Sequence, residues 1–196
     1  MKKITLIALL FFFQVFNIFA NEPKLNQIIN GLDNPWSLTF LDNDRVLITE
    51  KSGNILLVNF NNKKTKKIKH NLNILEDGQG GLLEVLYYKD QIFVSYTEDR
   101  KKGKTSTSVA KAEFNDLELN FKNIFRAEPP INSGYHFGSR LVIKDNFIYI
   151  TAGERGEGMI AQDPKKHPGS IIRIHVDGKI PKDNPKFIDK KDWLPE

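Results

Sequence analysis

The segment Ser139–Glu154, SRLVIKDNFIYITAGE, places two short apolar runs on either side of a polar KDN turn. Short runs rich in Val, Ile, Phe, Tyr and Thr are typical of β-strands, and a brief polar turn between two of them predicts a hairpin. In the second run, Phe147 and Tyr149 alternate with Ile148 and Ile150, so both faces of the strand are apolar. A sheet built from such strands must be covered on both sides.

The same plan occurs twice more, in WSLTFLDNDRVLITE at residues 36–50 and in LLEVLYYKDQIFVSYTE at residues 82–98. The turn residues Asp44, Asp90 and Asp145 recur at intervals of 46 and 55 residues. A period near fifty residues with one sheet per period predicts an all-β propeller with about four strands per blade. The alternative is a sandwich of unrelated hairpins. About three blades and part of a fourth would fit, as a minimal propeller or as the front of a longer chain.

Composition indicates one globular domain, because the 196 residues are 40% hydrophobic and 27% charged. The absence of cysteine excludes disulfides, zinc-thiolate sites and thiol nucleophiles. The net charge of +5 comes mainly from lysine, concentrated in Lys63–Lys69 and Asp99–Lys104. Neither run interleaves basic residues with stacking aromatic residues, so no nucleic-acid partner is expected. We interpret both runs as solvated loops.

The N-terminus has the pattern of a secretory signal peptide over residues 1–20, with two early lysines, an apolar run from Ile4 to Phe13, and Ala20 before a polar stretch. The apolar run is shorter than the roughly 20 residues of a membrane span. The mature domain would then be residues 21–196, in the periplasm or secreted. The alternative is an uncleaved anchor, because Ile18 fits the cleavage pattern poorly.

His136 is the most plausible reactive group, since SGYHFGSR at residues 133–140 sets it between two glycines just before an apolar strand. Imidazole has an ordinary pKa of about 6.5 and can therefore accept a proton near neutral pH. The alternative is a histidine whose hydrogen bonds are simply satisfied at a strand end. The chain has no HExxH pair and no GxSxG elbow, so neither a zinc site nor the usual hydrolase nucleophile is supported.

Six motifs, taken in order, resemble the successive signatures of the glucose/sorbosone dehydrogenase family, which are soluble aldose sugar dehydrogenases that use pyrroloquinoline quinone. The motifs are GLDNPWSLTFLDNDRVLITEKSGNILLV, GQGGLLEV, HFGSRLVI, AGERG, AQDPKKHPGSIIRI and DGKIPKDNP, and they run from about Asn30 to Pro195. The resemblance implies a six-bladed β-propeller of which this chain carries the first three to four blades. It also implies that further quinone contacts and the calcium ligands lie in later blades, beyond Glu196, so no metal ligand is expected in this chain.

The resemblance assigns His136 as the general base, in contact with the quinone, that takes the proton from the anomeric hydroxyl while hydride passes to the cofactor. It places Gln79 against the sugar, since an amide can both donate to and accept from a hydroxyl. The alternative for Gln79 is a turn residue in a glycine-rich corner.

Two positions depart from the glucose-specific branch of the family. Tyr135 stands where that branch has an acidic residue, and Arg155 stands where it has a glutamine. Both would face the substrate, which favours a broader aldose range. Arg155 could contact the sugar or a carboxylate of the quinone, but pairing with Glu154 or Glu157 at the surface is the preferred interpretation.

The resemblance therefore predicts an exported dehydrogenase that oxidises the anomeric carbon of aldoses to lactones, with pyrroloquinoline quinone and Ca²⁺ as cofactors and an electron acceptor that it does not define. Two alternatives remain open. One is a noncatalytic propeller that binds a ligand or partner, because fold does not fix function. The other is a calcium-dependent propeller lactonase, which would hydrolyse esters without a quinone.

Overall fold

The computed structural model describes residues 23–185, so the predicted signal peptide at residues 1–20 lies outside the described residues. Within that range no helix has the length and apolar character needed to cross a membrane. The described chain forms twelve β-strands and a single turn of 3-10 helix. The strands are β1 (Pro35–Phe40), β2 (Arg45–Glu50), β3 (Ile55–Asn59), β4 (Lys64–His70), β5 (Leu82–Tyr88), β6 (Gln91–Asp99), β7 (Thr105–Glu113), β8 (Glu118–Leu119), β9 (Lys122–Arg126), β10 (Gly138–Lys144), β11 (Phe147–Ala152) and β12 (Ile171–His175), and the 3-10 helix is Gly158–Gln162.

These strands form three sheets that follow one another along the chain. The first has the order β1-β2-β3-β4-β8, the second β5-β6-β7-β9, and the third β10-β11-β12. All neighbours are antiparallel except β4 and β8, which are parallel. The chain therefore leaves the second sheet after β7, adds the two-residue β8 to the first sheet, and returns as β9.

Each predicted hairpin forms the first two strands of a separate sheet, as the repeat indicated. Two of the turns consist of a pair of residues with positive φ, Lys89 and Asp90 (49° and 58°) and Asp145 and Asn146 (52° and 64°). Consecutive positive φ angles define the type I′ turn, whose twist matches that of the flanking strands, and Asp and Asn tolerate this conformation better than most residues.

The sheets are arranged like consecutive propeller blades. Strand β5, the first of the second sheet, packs against β1 and β2 on one side and against β10 on the other. The first strands of the three sheets thus lie side by side, and each sheet faces the next. This propeller-like arrangement of three sheets replaces the sandwich alternative.

Two apolar cores separate the sheets, and the second sheet contributes to both. In β6, Ile92, Val94 and Tyr96 belong to the core shared with the first sheet. Phe93 points the other way, into the core shared with the third sheet, where Ile148 and Ile150 are fully buried. Burying a side chain of this size contributes about 1.5–3 kcal/mol. This double packing occurs in β6. In β11, Ile148 and Ile150 are buried, but Phe147 and Tyr149 on the opposite face are only half-buried, because no further sheet among the described residues covers that face.

The two lysine runs differ in structure. Most of Lys63–Lys69 lies in β4, where every lysine is exposed and only Ile68 is buried, so its interpretation as a loop is wrong. The strand carries no alternating apolar pattern, because Ile68 is its one buried side chain, so the sequence did not indicate it. Of the second run, Asp99 is the last residue of β6, and residues 100–104 form the expected turn between β6 and β7, in which residues 101–104 are exposed.

Because neighbouring strands are antiparallel, several connections lie together at the same end of the strands in all three sheets. These are the long segments that enter β5 and β10, residues 71–81 and 127–137, and the segment between β11 and β12, residues 153–170. The type I′ turns lie at the opposite end of the strands. The site residues that the sequence predicted by number all fall in the three long segments.

Candidate functional site

The segments before β5 and β10 are joined through Gln79. Its backbone N–H donates to the carbonyl of Gly134 at 2.7 Å, and its side-chain Oε1 accepts from the backbone N–H of His136 at 2.9 Å. The structure thus brings Gln79 and His136 together although 57 residues separate them. The side-chain oxygen of Gln79 is engaged with backbone, which leaves its exposed amide NH₂ group to donate.

Glycines let these segments pack directly against one another. A Cβ on Gly78 would overlap the carbonyl oxygen of Gly134, and one on Gly153 would overlap the carbonyl oxygen of His136. A Cβ on Gly138 would lie 2.7 Å from the nitrogen of Gly153. The glycines around His136 therefore serve the close approach of protein backbone to protein backbone.

His136 has a strained backbone and an accessible ring. Its φ of 49° lies in the left-handed region that most side chains avoid, and its side chain is 53% exposed. Its Nδ1 contacts the carboxylate of Glu154, which also accepts the backbone N–H of Gly156 at 3.1 Å. The hydrogen bond from His136 is the main cause that lowers the pKa of Glu154 below its ordinary value.

The state of this pair follows from its chemistry. An ionised carboxylate has no proton to donate, so the proton of a neutral His136 ring must lie on Nδ1, toward Glu154. Its other nitrogen, Nε2, then carries the free electron pair. Glu154 was considered in the sequence only as a surface partner for Arg155, and nothing in the spacing of AGERG signals that it reaches a histidine 18 residues earlier.

Tyr135 lies on the solvent side of the same segment. Its side chain is 60% exposed, and its ring meets the His136 ring edge-on, with the centroids 6.2 Å apart. An exposed aromatic ring beside a half-exposed imidazole offers an apolar contact next to a polar one. The Tyr135 ring is thus exposed directly beside the His136 ring, and its contact with substrate stays a prediction.

Arg155 differs from the sequence expectation. The residue is 3% exposed and its guanidinium points into the protein, so surface pairing with Glu154 or Glu157 is wrong. Its four hydrogen bonds go to Thr105, Ser133 and Tyr135 instead. The physical reason is that backbone carbonyls, which are acceptors that a sequence does not display, surround its planar donor group.

The other histidines have structural partners. His70 is the last residue of β4, and its Nε2 lies 2.6 Å from the carbonyl oxygen of Gly53. His167 is 7% exposed, and its Nδ1 accepts the backbone N–H of Glu128 at 2.8 Å. His175 is half-buried, with its ring centroid 4.7 Å from that of Phe147.

The described residues fit one part of a quinone and sugar site. The accessible imidazole of His136, with its free Nε2, could contact a flat polar ligand, and the neighbouring Gln79 amide could donate to a sugar hydroxyl. They do not fit a calcium ion, because residues 23–185 contain no group of three or more His, Asp or Glu side chains that could hold a metal. The further quinone contacts expected beyond Glu196 lie outside the described residues, and they stay a prediction.

Comparison with known proteins identifies the family of this chain. A family model described as Glucose / Sorbosone dehydrogenase matches residues 32–196. The aldose sugar dehydrogenase YliI of Escherichia coli (strain K12) is 34% identical over 164 residues, which cover 79% of this chain and 44% of that protein. Quinoprotein glucose dehydrogenase B of Acinetobacter calcoaceticus is 27% identical over 195 residues, covering 82% and 41%.

The fold leads to the same group of proteins. A crystal structure of a glucose dehydrogenase superposes with a TM-score of 0.83 at 32% identity, covering 89% of this chain and 53% of that one. The chain thus spans about half the length of the proteins that it matches. The match of the family model over most of the sequence shows that this chain belongs to the glucose/sorbosone dehydrogenase family.

Proposed function

We propose that this chain is part of an exported, quinone-dependent aldose dehydrogenase that oxidises the anomeric carbon of sugars to lactones. The observation that carries the proposal is the contact between Glu154 and Nδ1 of a half-exposed His136. This contact leaves Nε2 as a proton acceptor on the accessible side of the ring. The names of the relatives, an aldose sugar dehydrogenase and a quinoprotein, support the substrate class and the cofactor class.

In this proposal His136 Nε2 takes the proton of the anomeric hydroxyl as that carbon loses hydride. Glu154 keeps the ring in the required tautomer and balances the positive charge that the ring gains. Gln79 donates its side-chain N–H to a sugar hydroxyl, and Tyr135 packs on the apolar face of the sugar ring. When bound, pyrroloquinoline quinone supplies the two-electron acceptor.

Several parts of the proposal concern the whole protein. A six-bladed propeller would supply, from positions beyond Glu196, the cationic contacts for the quinone carboxylates and a Ca²⁺ site, neither of which is built from residues 23–185 alone. Export rests on the signal-peptide pattern of residues 1–20.

The test is a dye-linked oxidation assay with added quinone and Ca²⁺, run on the full-length gene product with a panel of aldoses. Activity that requires the quinone and falls at least about 10²-fold in His136→Ala supports the proposal, since losses of general bases are typically 10²–10⁴-fold. His175→Asn is the matched control, because this histidine packs on Phe147 and takes no part in the proposed site.

Three outcomes would contradict the proposal. An intact protein without quinone-dependent aldose oxidation would support a noncatalytic binding propeller. Calcium-dependent ester cleavage without a quinone would support a lactonase. Equal loss of activity in the His136 and His175 variants would show that the assay reports folding rather than chemistry.

A further inference from the structure

We infer that Arg155 is a positioning residue, whose buried guanidinium fixes the backbone on both sides of His136. The inference rests on the proposed role of His136. It assigns Arg155 no contact with substrate, and it explains why a charged side chain is buried against the backbone next to the candidate base.

The guanidinium holds the segment that precedes His136. Its Nε donates to the carbonyl of Tyr135 at 2.9 Å, and Nη2 donates to the carbonyl of Ser133. Tyr135 immediately precedes His136, and Ser133 lies three positions before it. A planar, rigid donor group can serve both at once, which a flexible ammonium group cannot do with the same geometry.

The same guanidinium anchors this segment to the second sheet. Nη1 donates to the carbonyl of Thr105 at 3.3 Å, and Nη2 donates to its hydroxyl at 2.7 Å. Thr105 is 2% exposed and is the first residue of β7, so it provides a fixed support. Arg155 therefore links a loop that has few ladder hydrogen bonds to a strand within the sheet.

Phe137, the residue after His136, is held from the same side. The Arg155 guanidinium lies 3.6 Å from the centroid of the Phe137 ring, a stacked cation–π contact. The carbonyl of Phe137 accepts from the hydroxyl of Thr107 at 2.8 Å and from the backbone N–H of Gly153 at 3.1 Å. The residues on both sides of His136 are thus fixed independently of its side chain.

This restraint has a function because the segment is strained. His136 and Ser139 have φ angles of 49° and 76°. Such conformations cost on the order of 1–3 kcal/mol each and persist only where surrounding contacts enforce them. Burial lowers the pKa of Arg155 to about 10, which shows the cost of keeping this cation in the interior. Without the guanidinium, the segment would relax and the imidazole would leave its place against Glu154.

Consecutive residues of AGERG thereby divide the task. Glu154 holds the ring of His136, and Arg155 holds the backbone that carries it. Because one short turn carries both side chains, a shift of this turn would displace the ring and the backbone of His136 together.

The experiment compares Arg155→Lys and Arg155→Gln in the full-length protein with Arg173→Gln as the matched control. Arg173 also stacks on a phenylalanine, with 3.9 Å from its guanidinium carbon to the Phe147 ring centroid, and donates to Asn184, but it lies away from His136. We expect kcat to fall about 10- to 100-fold in both Arg155 variants with KM changed less than about threefold, since a displaced base impairs the chemical step. The lysine variant keeps the charge and loses the fork, so its failure to restore kcat would identify geometry as the cause.

A second measurement does not depend on activity. Amide hydrogen exchange at Gln79, His136 and Gly153, whose N–H groups make the hydrogen bonds of this site, should accelerate at least about tenfold in Arg155→Gln and not in Arg173→Gln. Unchanged exchange at these three amides would overturn the positioning role. If the wild-type protein were inactive but Arg155→Gln still accelerated exchange at these amides, the result would contradict the proposed function and support the role of Arg155.

Discussion

The Glu154 carboxylate contacts Nδ1 of His136 across the gap between the segment that leaves β11 and the segment that enters β10. Glu154→Gln keeps the size of the side chain and removes its charge. We expect kcat to fall about 10²-fold, because the amide no longer balances the charge that the ring gains and can hold the wrong tautomer. Steady-state kinetics with the full-length protein would measure the loss.

The control for this variant is Glu157→Gln, which removes an exposed carboxylate three residues away that has no contact with His136. Retention of full activity in Glu154→Gln, or an equal loss in Glu157→Gln, would contradict the role of the pair.

Gly153 controls how closely β11 and the His136 segment approach. In Gly153→Ala the new methyl group would overlap the carbonyl oxygen of His136, which is backbone and cannot turn aside. We expect a loss of at least about 2 kcal/mol in the free energy of unfolding together with a loss of activity. Urea unfolding monitored by tryptophan fluorescence would measure the first.

Gly31→Ala provides the comparison, because no atom lies within 4 Å of the position that its new methyl group would take, although its φ is 73°. It should show only the backbone cost of about 1–2 kcal/mol. Equal stability loss in the two alanine variants would argue against the steric explanation.

The hydroxyl of Thr107 supports Phe137 from within the second sheet, and the residue is 1% exposed. Thr107→Val keeps the shape and removes the donor, so we expect a cost of about 1–3 kcal/mol. We also expect kcat to fall in Thr107→Val. Thr107→Ser keeps the donor and should retain most of the stability and kcat that the valine variant loses, although it also removes a buried methyl group. If the valine and serine variants behaved alike in both stability and kcat, the hydrogen bond would not be the cause.

We expect Tyr96 to make the free energy of unfolding depend on pH in the alkaline range. Burial raises the pKa of this phenol from 10.0 to about 12, and its hydroxyl donates to Asn123 at 2.7 Å. The folded protein therefore keeps the proton at pH values where the unfolded chain has lost it. The stabilisation is complete below pH 10 and is lost as the pH rises toward 12.

The measurement is the free energy of unfolding of the wild type and Tyr96→Phe at several pH values from about 8 to about 11.5. The variant has no phenol to ionise, so the difference between the two proteins should shrink or reverse as the pH rises. A difference that stays constant over this interval would show that Tyr96 has no part in the alkaline transition.

The sequence predicted most of the fold because strand and turn signals are local. The hairpins at Asp44, Asp90 and Asp145 each form the first two strands of a sheet. Of the two apolar faces of residues 147–150, only that of Ile148 and Ile150 is buried, because no described sheet covers the other. The strand at residues 64–70 was missed because its exposed side chains are nearly all lysine, and β8 was missed because two residues carry no pattern.

The site was less predictable, because its contacts are made with the backbone. The carbonyls that bind Arg155 and the N–H that binds Gln79 Oε1 are present at every residue, and only the fold decides which of them converge. The position of His136 was suggested by its motif. Its partner Glu154 and its support Arg155 could be assigned only from the three-dimensional arrangement.

Strand β4 has a further consequence for how this protein behaves in concentrated solution. Beyond Lys69 and His70, which pair with β8, its outer edge has no neighbour among the described strands. Such an edge can recruit a strand from another molecule and start aggregation. Lys64, Lys66 and Lys67 keep this edge charged and hydrated, so an approaching copy would meet like charges before any backbone hydrogen bond could form. Replacing these lysines would thus affect colloidal stability and shelf life well before it affected the fold.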